Sequence, residues 1–197
     1  MKDWTFYPVF IASVVSVIGL THIAFAKISP KPRTLSELAA AEQTLLARFR
    51  NVLLFCGTLF AITVFWFIIP RIAAHAIVAF FGSLMIGGEL LAAIIPARHK
   101  TIFVHNFMAQ TMALGMLGLA FSFWFSLPRY NGPEMLLAIG MCVAGGLTFL
   151  DKKYYLQYEL GFIYASHCTV ALAALALRWH LLSARIIWYK SLHEACR

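Results

Sequence analysis

Glu89 is the residue whose type and position point most directly to chemistry, because it is a carboxylate well inside an apolar run. An ionised side chain at such a depth in a membrane helix costs at least ~2.5 kcal/mol, so it faces protein or water and needs a partner. Its neighbours include Gly82, Gly87 and Gly88, and small residues let adjacent helices approach closely. We predict that this helix is the packed centre of a helical bundle.

Further polar residues fall at depths that match Glu89 when successive membrane helices alternate in direction. Asn106 and Gln110 are four residues apart, so they share one stripe of a helix. The whole set is predicted to line one intramembrane cavity that opens toward the basic loops, and it comprises Glu89, His22, His105, Asn106, Gln110, Glu159 and His167.

These residue types are compatible with several kinds of site. They could form a solvated cavity for a small solute or protons, or a hydrogen bond that joins helices. Histidine and carboxylate are ligands for zinc or iron, so His22, His105 and Glu89 are the metal candidates. Haem could be ligated by His22 and His105. The paired HxxxH of intramembrane hydrolases of the alkaline-ceramidase and adiponectin-receptor type is absent, and no cofactor is required.

Motifs of nucleophilic and phosphate-binding enzymes are absent from the sequence. It contains no phosphate-cradling glycine loop, no nucleophile elbow and no acyl-transfer triad signature, so no catalytic residue is assigned. Three of the four cysteines lie inside apolar runs and none has CxxC spacing, which argues against a disulfide framework or a zinc knuckle. The sequence therefore favours a role other than that of an enzyme.

The composition requires lipid as the solvent for much of the chain. Of the 197 residues, 61% are apolar and 12% are charged, and the mean hydropathy is +0.80. A soluble fold of this length could not bury so much apolar surface. The net charge of +8 falls almost entirely between apolar runs, where it suits headgroups and cytoplasm. The bilayer is therefore an expected partner, and nucleic acid is not.

Apolar runs long enough to cross a bilayer predict an all-α membrane protein, with six transmembrane helices in a single polytopic domain. The run Val52–Pro96 is long enough for two spans, and Pro70 marks the turn between them. The first run ends in a small-x-small pattern but exceeds the apolar region of a signal peptide, so we expect a span. The predicted spans are about 6–26, 52–70, 72–96, 101–127, 134–150 and 154–177.

Two further segments are predicted to lie along the membrane surface. Thr34 and Glu37 form a capping-box pattern that places a helix start at Leu35, and leucines then share one broad face. This pattern predicts an amphipathic interfacial helix over about 35–50. The tail, 178–197, mixes aromatic and basic residues and is predicted to be a second amphipathic segment.

The distribution of basic residues predicts the orientation of the spans. Nine Lys and Arg residues fall in the loops after spans one, three and five, and seven fall on the other side. Positively charged loops stay in the cytoplasm, so we expect both termini to be non-cytoplasmic. The expected location is a plasma membrane of bacterial type.

Residues around the third span resemble a known family pattern. The stretch with Gly87-Gly88, Ile95-Pro96 and His105 is similar to the third span of six-span membrane proteins of the DRAM/Sfk type and their uncharacterised bacterial relatives. The resemblance implies a six-helix bundle and transfers no enzymatic residues. The strongly basic first loop departs from that pattern, in which the corresponding loop is usually non-cytoplasmic.

Three functional hypotheses follow from the sequence. The first is that the protein binds or passes a small solute or protons through a cavity lined by Glu and His. The second is a non-catalytic subunit or assembly factor that associates with other membrane subunits or with itself. The third is a metal-dependent intramembrane enzyme acting on a lipid. ATP-driven transport is not expected, because no segment resembles an ATP-binding motif.

Overall fold

The computed structural model describes residues 3–26, 34–127, 131–150 and 152–195, with side chains described as far as Trp179. These residues contain helices and turns and no strand, so the predicted all-α class is confirmed for them. The helices are α1 (Pro8–Ala24), α2 (Leu35–Ala40), α3 (Gln43–Ala61), α4 (His75–Ile94), α5 (Ile102–Ser126), α6 (Asn131–Leu150) and α7 (Tyr155–Ala195).

Five helical segments of the described chain are long and apolar enough to cross a membrane: Trp4–Ala24, Gln43–Arg71, His75–Ile94, Ile102–Ser126 and Tyr155–Trp179. The apolar part of α6, Met135–Thr148, is shorter. Several helices of this length and composition indicate a polytopic integral membrane protein.

The short helix α2 begins where the sequence predicted a helix start, and its capping box is present. The Thr34 hydroxyl accepts from the Glu37 backbone N–H at 3.1 Å, and a Glu37 carboxylate oxygen accepts from the Thr34 N–H at 3.3 Å. The helix predicted over 35–50 is two helices, because the chain is extended at Glu42 before α3 begins. Leu35 and Leu38 are buried in a cluster with residues of α1, α3 and α7, so α2 packs on the protein itself.

The end of α3 widens into a π-helix, Ile62–Ile68, which is followed by a single 3-10 turn, Ile69–Arg71. Pro70 explains the change, because proline lacks an N–H donor and its ring clashes with the carbonyl four residues earlier. Arg71 compensates, since its guanidinium donates to the carbonyls of Trp66 and Phe67 at 3.2 and 2.8 Å. The guanidinium also lies 4.4 Å from the centre of the Phe67 ring.

Helices α4 and α5 form an antiparallel pair that approaches closely at two glycines. A Cβ atom built on Gly88 would lie 2.6 Å from the Met112 nitrogen and 2.8 Å from the Met108 oxygen. A Cβ atom on Gly115 would overlap the backbone of Met85. The small residues around Glu89 therefore let α4 pack directly against the α5 backbone, as the sequence predicted.

Helix α7 is continuous from Tyr155 to Ala195. At 1.5 Å per residue it is about 60 Å long, roughly twice the hydrocarbon thickness of a bilayer. The predicted tail, 178–197, is therefore a helical extension of the last span as far as Ala195. No proline or glycine occurs between Arg178 and Ala195 to end the helix.

Candidate functional site

One face of α3, continued by the π-helix that follows it, forms one wall of the candidate site. Cys56, Phe60 and Thr63 recur at intervals of three or four residues, so they share a helix face, and all three are fully buried. The Cys56 thiol donates to the Ala12 carbonyl of α1 at 3.3 Å. This face is therefore enclosed on one side by α1.

Glu89 of α4 is buried beside this face, with 1% of its surface exposed. A Cβ atom built on Gly57 of α3 would lie 3.5 Å from the Glu89 carboxyl carbon, so no side chain separates the carboxylate from the α3 backbone. Neither carboxylate oxygen has a hydrogen-bond partner among the described residues. Buried polar groups in native proteins nearly always have a partner, and an orphaned one calls for an unseen water, ion or ligand, or for a role in function.

His167 of α7 is the second buried group without a partner. It is 1% exposed, and neither of its ring nitrogens makes a hydrogen bond within the described chain. Its ring lies against that of Phe60, with a centroid distance of 4.5 Å and an interplanar angle of 40°. Glu89 and His167 therefore contact positions on α3 that are three residues apart.

Two hydroxyls in the same region are also unpartnered, those of Ser16 on α1 and Thr63 in the π-helix. Serine and threonine in helices usually donate to the carbonyl four residues earlier. Ser13 and Thr58 do so, to the oxygens of Val9 and Leu54 at 2.8 and 2.7 Å. Ser16 and Thr63 are at most 1% exposed but make no such bond. Their hydroxyls are therefore unpartnered polar atoms in the core beside α3.

The polar residues at the start of α5 occupy a different environment. The His105 ring is 1% exposed, and its Nδ1 lies 2.5 Å from the carbonyl oxygen of Ile95, which ties α5 to the end of α4. Asn106 and Gln110 are exposed on the outer surface of α5. The structure thus does not bring these two amides to Glu89.

His22 lies at the protein surface near the end of α1. Its Nδ1 is 3.5 Å from a guanidinium nitrogen of Arg48 on α3. Both residues are exposed, so this contact belongs to the periphery of the bundle.

Glu159 of α7 holds the short helix α2 in place. Its carboxylate accepts from the backbone N–H of Leu35 at 2.8 Å, and the side chain is half-buried. A nearby tie joins α1 and α7, because the hydroxyls of Thr21 and Tyr164 lie 2.6 Å apart. Glu159 thus has a structural partner, unlike Glu89 and His167.

Removing the Glu159 carboxylate is expected to loosen α2. A hydrogen bond to a charged group contributes about 1.5–3 kcal/mol, so amide exchange in 34–40 should be about tenfold faster or more in Glu159→Ala. Glu159→Gln keeps an acceptor oxygen and should exchange at a rate closer to wild type. Hydrogen exchange followed by mass spectrometry measures both, with α5 peptides as the internal reference. Equal exchange in all three proteins would mean that this bond does not hold α2.

The described residues contain no group of three or more His, Cys, Asp or Glu side chains that could hold a metal ion. Of the three metal candidates, Glu89 is buried without a partner, His105 contacts the Ile95 carbonyl and His22 is exposed beside Arg48. The exposed histidine at the start of α4, His75, does not lie in the core either.

A groove of about 480 Å³ between α4 and α5 was not predicted from the sequence. It lies along the half of α4 that is farther from Glu89, where Phe81 packs on Gly118. Its lining is apolar apart from Ser122 and Ser126, and none of the candidate polar residues contributes to it. The buried polar groups and the groove are thus separate features.

The sequence identified Glu89 and His167 but not Cys56, Ser16 or Thr63. No pattern in the sequence distinguishes a helical serine that bonds to its own backbone from one that does not, so this part of the site depends on the packing. No protein-family model matches the chain, and neither a curated protein nor a solved structure does. The buried polar groups are therefore the basis for assigning a function.

Proposed function

We propose that the protein is a membrane binding or transport protein that admits a small solute or proton to the buried site at Glu89. The observation that carries the proposal is the Glu89 carboxylate, whose two oxygens lie in the core without a partner among the described residues. Intramembrane carboxylates that face a bundle interior mark substrate, ion and proton pathways. A solute bound there supplies the missing partner, and a bound proton removes the buried charge.

Three further polar groups in the bundle core also have no partner among the described residues. They favour a binding site over a single unpaired side chain at Glu89. Ser16, Thr63 and His167 come from three different segments and are all buried. Each lies at least eight residues from the nearer end of its membrane-spanning segment. A structural hydrogen bond between helices would have left these groups paired.

We further propose that α6 completes a six-span bundle. Its 20 residues rise about 30 Å, which matches the hydrocarbon core of a bilayer. The helix packs against both α5 and α7, each of which has membrane-spanning length. An even number of spans keeps both termini on one side, and the charge distribution favours the non-cytoplasmic side. The DRAM/Sfk-like resemblance fits the same helix count.

Flux through proteoliposomes tests the function. Purified protein is reconstituted, proton entry is followed with trapped pyranine under a valinomycin-set potassium potential, and entry of glycerol or urea is followed by light scattering. One of these fluxes should exceed that of protein-free vesicles. Glu89→Gln should lower it to the protein-free level, because the amide retains the shape but cannot carry the charge or the proton.

The matched control is Glu42→Gln, the same change at an exposed residue outside the bundle core. It should leave the flux at the wild-type level. The proposal is overturned if no flux exceeds that of protein-free vesicles, or if Glu89→Gln conducts like wild type. Each variant must elute as a monodisperse helical protein, and Glu89→Asp, which keeps the carboxylate, provides a second test if Glu89→Gln does not fold.

A further inference from the structure

We infer that the species admitted to the Glu89 site is the proton, and that His167 is the next side chain to accept it. This inference rests on the function proposed above and adds the substrate class and a second residue. Among the buried unpartnered side chains, Glu89 and His167 are a carboxyl and an imidazole, the two groups that proteins use most to exchange protons. Glu89 lies on α4 and His167 lies on α7, and both side chains contact α3.

The helices packed beside Glu89 leave no room between them for a solute of several atoms at Gly57 and Gly88. A Cβ atom built on Gly57 would lie 3.0 Å from a Leu90 methyl carbon and 3.5 Å from the Glu89 carboxyl carbon. Even the methyl group of an alanine would therefore crowd Leu90, so α3 and α4 pack closely at this point. On the adjoining side, Gly88 brings the α5 backbone into contact with α4. A proton carried by single water molecules fits this packing.

The unpartnered groups follow one another along α3. Glu89 lies beside Gly57, His167 lies against Phe60, and Thr63 follows in the π-helix. The step from Gly57 to Phe60 rises about 4.5 Å along the axis of α3. The Thr63 hydroxyl, which can both donate and accept, is free at the end of this row. The row therefore crosses the middle of the bundle.

A relay between these groups needs only a bridging water and no other reactant. The Glu89 carboxylic acid gives its proton to a water, which passes one of its own protons to the unprotonated nitrogen of the His167 ring. Glu89 is then a carboxylate and His167 an imidazolium. The imidazolium loses the proton of its other nitrogen toward Thr63, and rotation or tautomer exchange returns the ring to its starting form. Glu89 then takes up a proton from water on its own side of the path, which restores the carboxylic acid. Charge and atoms balance at each step.

The titratable and charged groups near this path are few. Cys56 of α3 is buried next to Gly57 in the sequence, and its thiol donates to the Ala12 carbonyl. Arg178 of α7 lies three turns beyond His167, with its guanidinium 4.7 Å from the centre of the Phe6 ring. Neither group stands between the carboxyl and the imidazole in the order along α3.

The test compares His167→Gln with His75→Gln in the pyranine assay. Both variants replace a histidine with the same amide, but His75 is exposed at the start of α4. His167→Gln should reduce proton flux by at least about tenfold, as expected when one member of a proton relay is removed. His75→Gln should conduct like wild type. A double variant, Glu89→Gln with His167→Gln, should conduct as little as Glu89→Gln alone, because both residues serve one path.

Dicyclohexylcarbodiimide provides a second measurement on the unmodified sequence. This apolar reagent adds to protonated carboxyl groups within membranes. It is larger than the space beside Gly57, so it should label Glu89 slowly, as α3 and α4 separate transiently, and each labelled protein should lose its proton flux. Peptide mass spectrometry locates the label, and Glu89→Gln should not acquire it. Flux that persists after complete labelling of Glu89 would overturn the relay even if no His167 variant folds.

The outcomes separate this inference from the function on which it rests. A folded His167→Gln protein with wild-type proton flux overturns the relay, while the loss of flux in Glu89→Gln would still support the Glu89 site. Glycerol or urea flux that depends on Glu89, without proton flux, overturns the proton assignment and retains the binding or transport function. No flux of any kind overturns both.

Discussion

Replacing Glu89 with leucine is expected to stabilise the protein while it abolishes flux. The carboxylate loses its hydrogen bonds to water on burial and gains none from the described residues. An apolar side chain of similar size has no such cost, so the free energy of unfolding should rise by about 1–3 kcal/mol. A residue that lowers stability and is needed for activity is the pattern expected of a functional site.

Glu159→Leu is the matched control for this stability prediction. Glu159 accepts a hydrogen bond from the Leu35 N–H, so its replacement leaves a donor unpaired and should lower stability. Unfolding of both variants in the same detergent measures whether each substitution raises or lowers the free energy of unfolding. A loss of stability in Glu89→Leu as large as that in Glu159→Leu would mean that Glu89 has a partner in the fold. The contrast tests the partner assignment without any assumption about the substrate.

Apolar run length predicted the helical membrane fold well, whereas packing decided the details. The break between α2 and α3 turns Leu35 and Leu38 onto the bundle, and the sequence shows only a continuous amphipathic pattern over 35–50. The turn at Pro70 was predicted from its backbone restriction. The π-helix before it was not, because it depends on how Arg71 satisfies two carbonyls.

The helix that carries a polar residue was easier to predict than the direction in which its side chain faces. Glu89 stands out because an apolar run contains one carboxylate, and the cost of exposing a charge to lipid favours its burial. Asn106 lies at a suitable depth, but it is nine residues from Gly115, about 180° around the helix. Gly115 faces the α4 backbone, so Asn106 faces outward. Finding the packed face first, from the glycines, would have removed both amides from the candidate set.

Close packing at Gly88 is the second feature expected to have a large effect. Alanine at this position would place a methyl group 2.6 Å from the Met112 nitrogen, and helix backbones cannot give way as a flexible side chain can. Overpacking lowers the free energy of unfolding by about 1–3 kcal/mol where side chains can move. Because the contact here is with backbone, we expect Gly88→Ala to lose about 3 kcal/mol or more. Separation of α4 from α5 would also move Glu89, the next residue, away from Gly57, so flux should fall with stability.

Gly87→Ala makes the same change one residue earlier, where a Cβ atom would meet nothing within 4 Å. Alanine favours helix over glycine by about 0.5–1 kcal/mol, so this variant should be as stable as wild type or more so and should keep its flux. Unfolding in detergent and pyranine flux would be measured on both variants from one preparation. If Gly88→Ala matched Gly87→Ala in stability, α4 and α5 would not be in backbone contact, and one of the two close contacts that exclude larger solutes beside Glu89 would be absent.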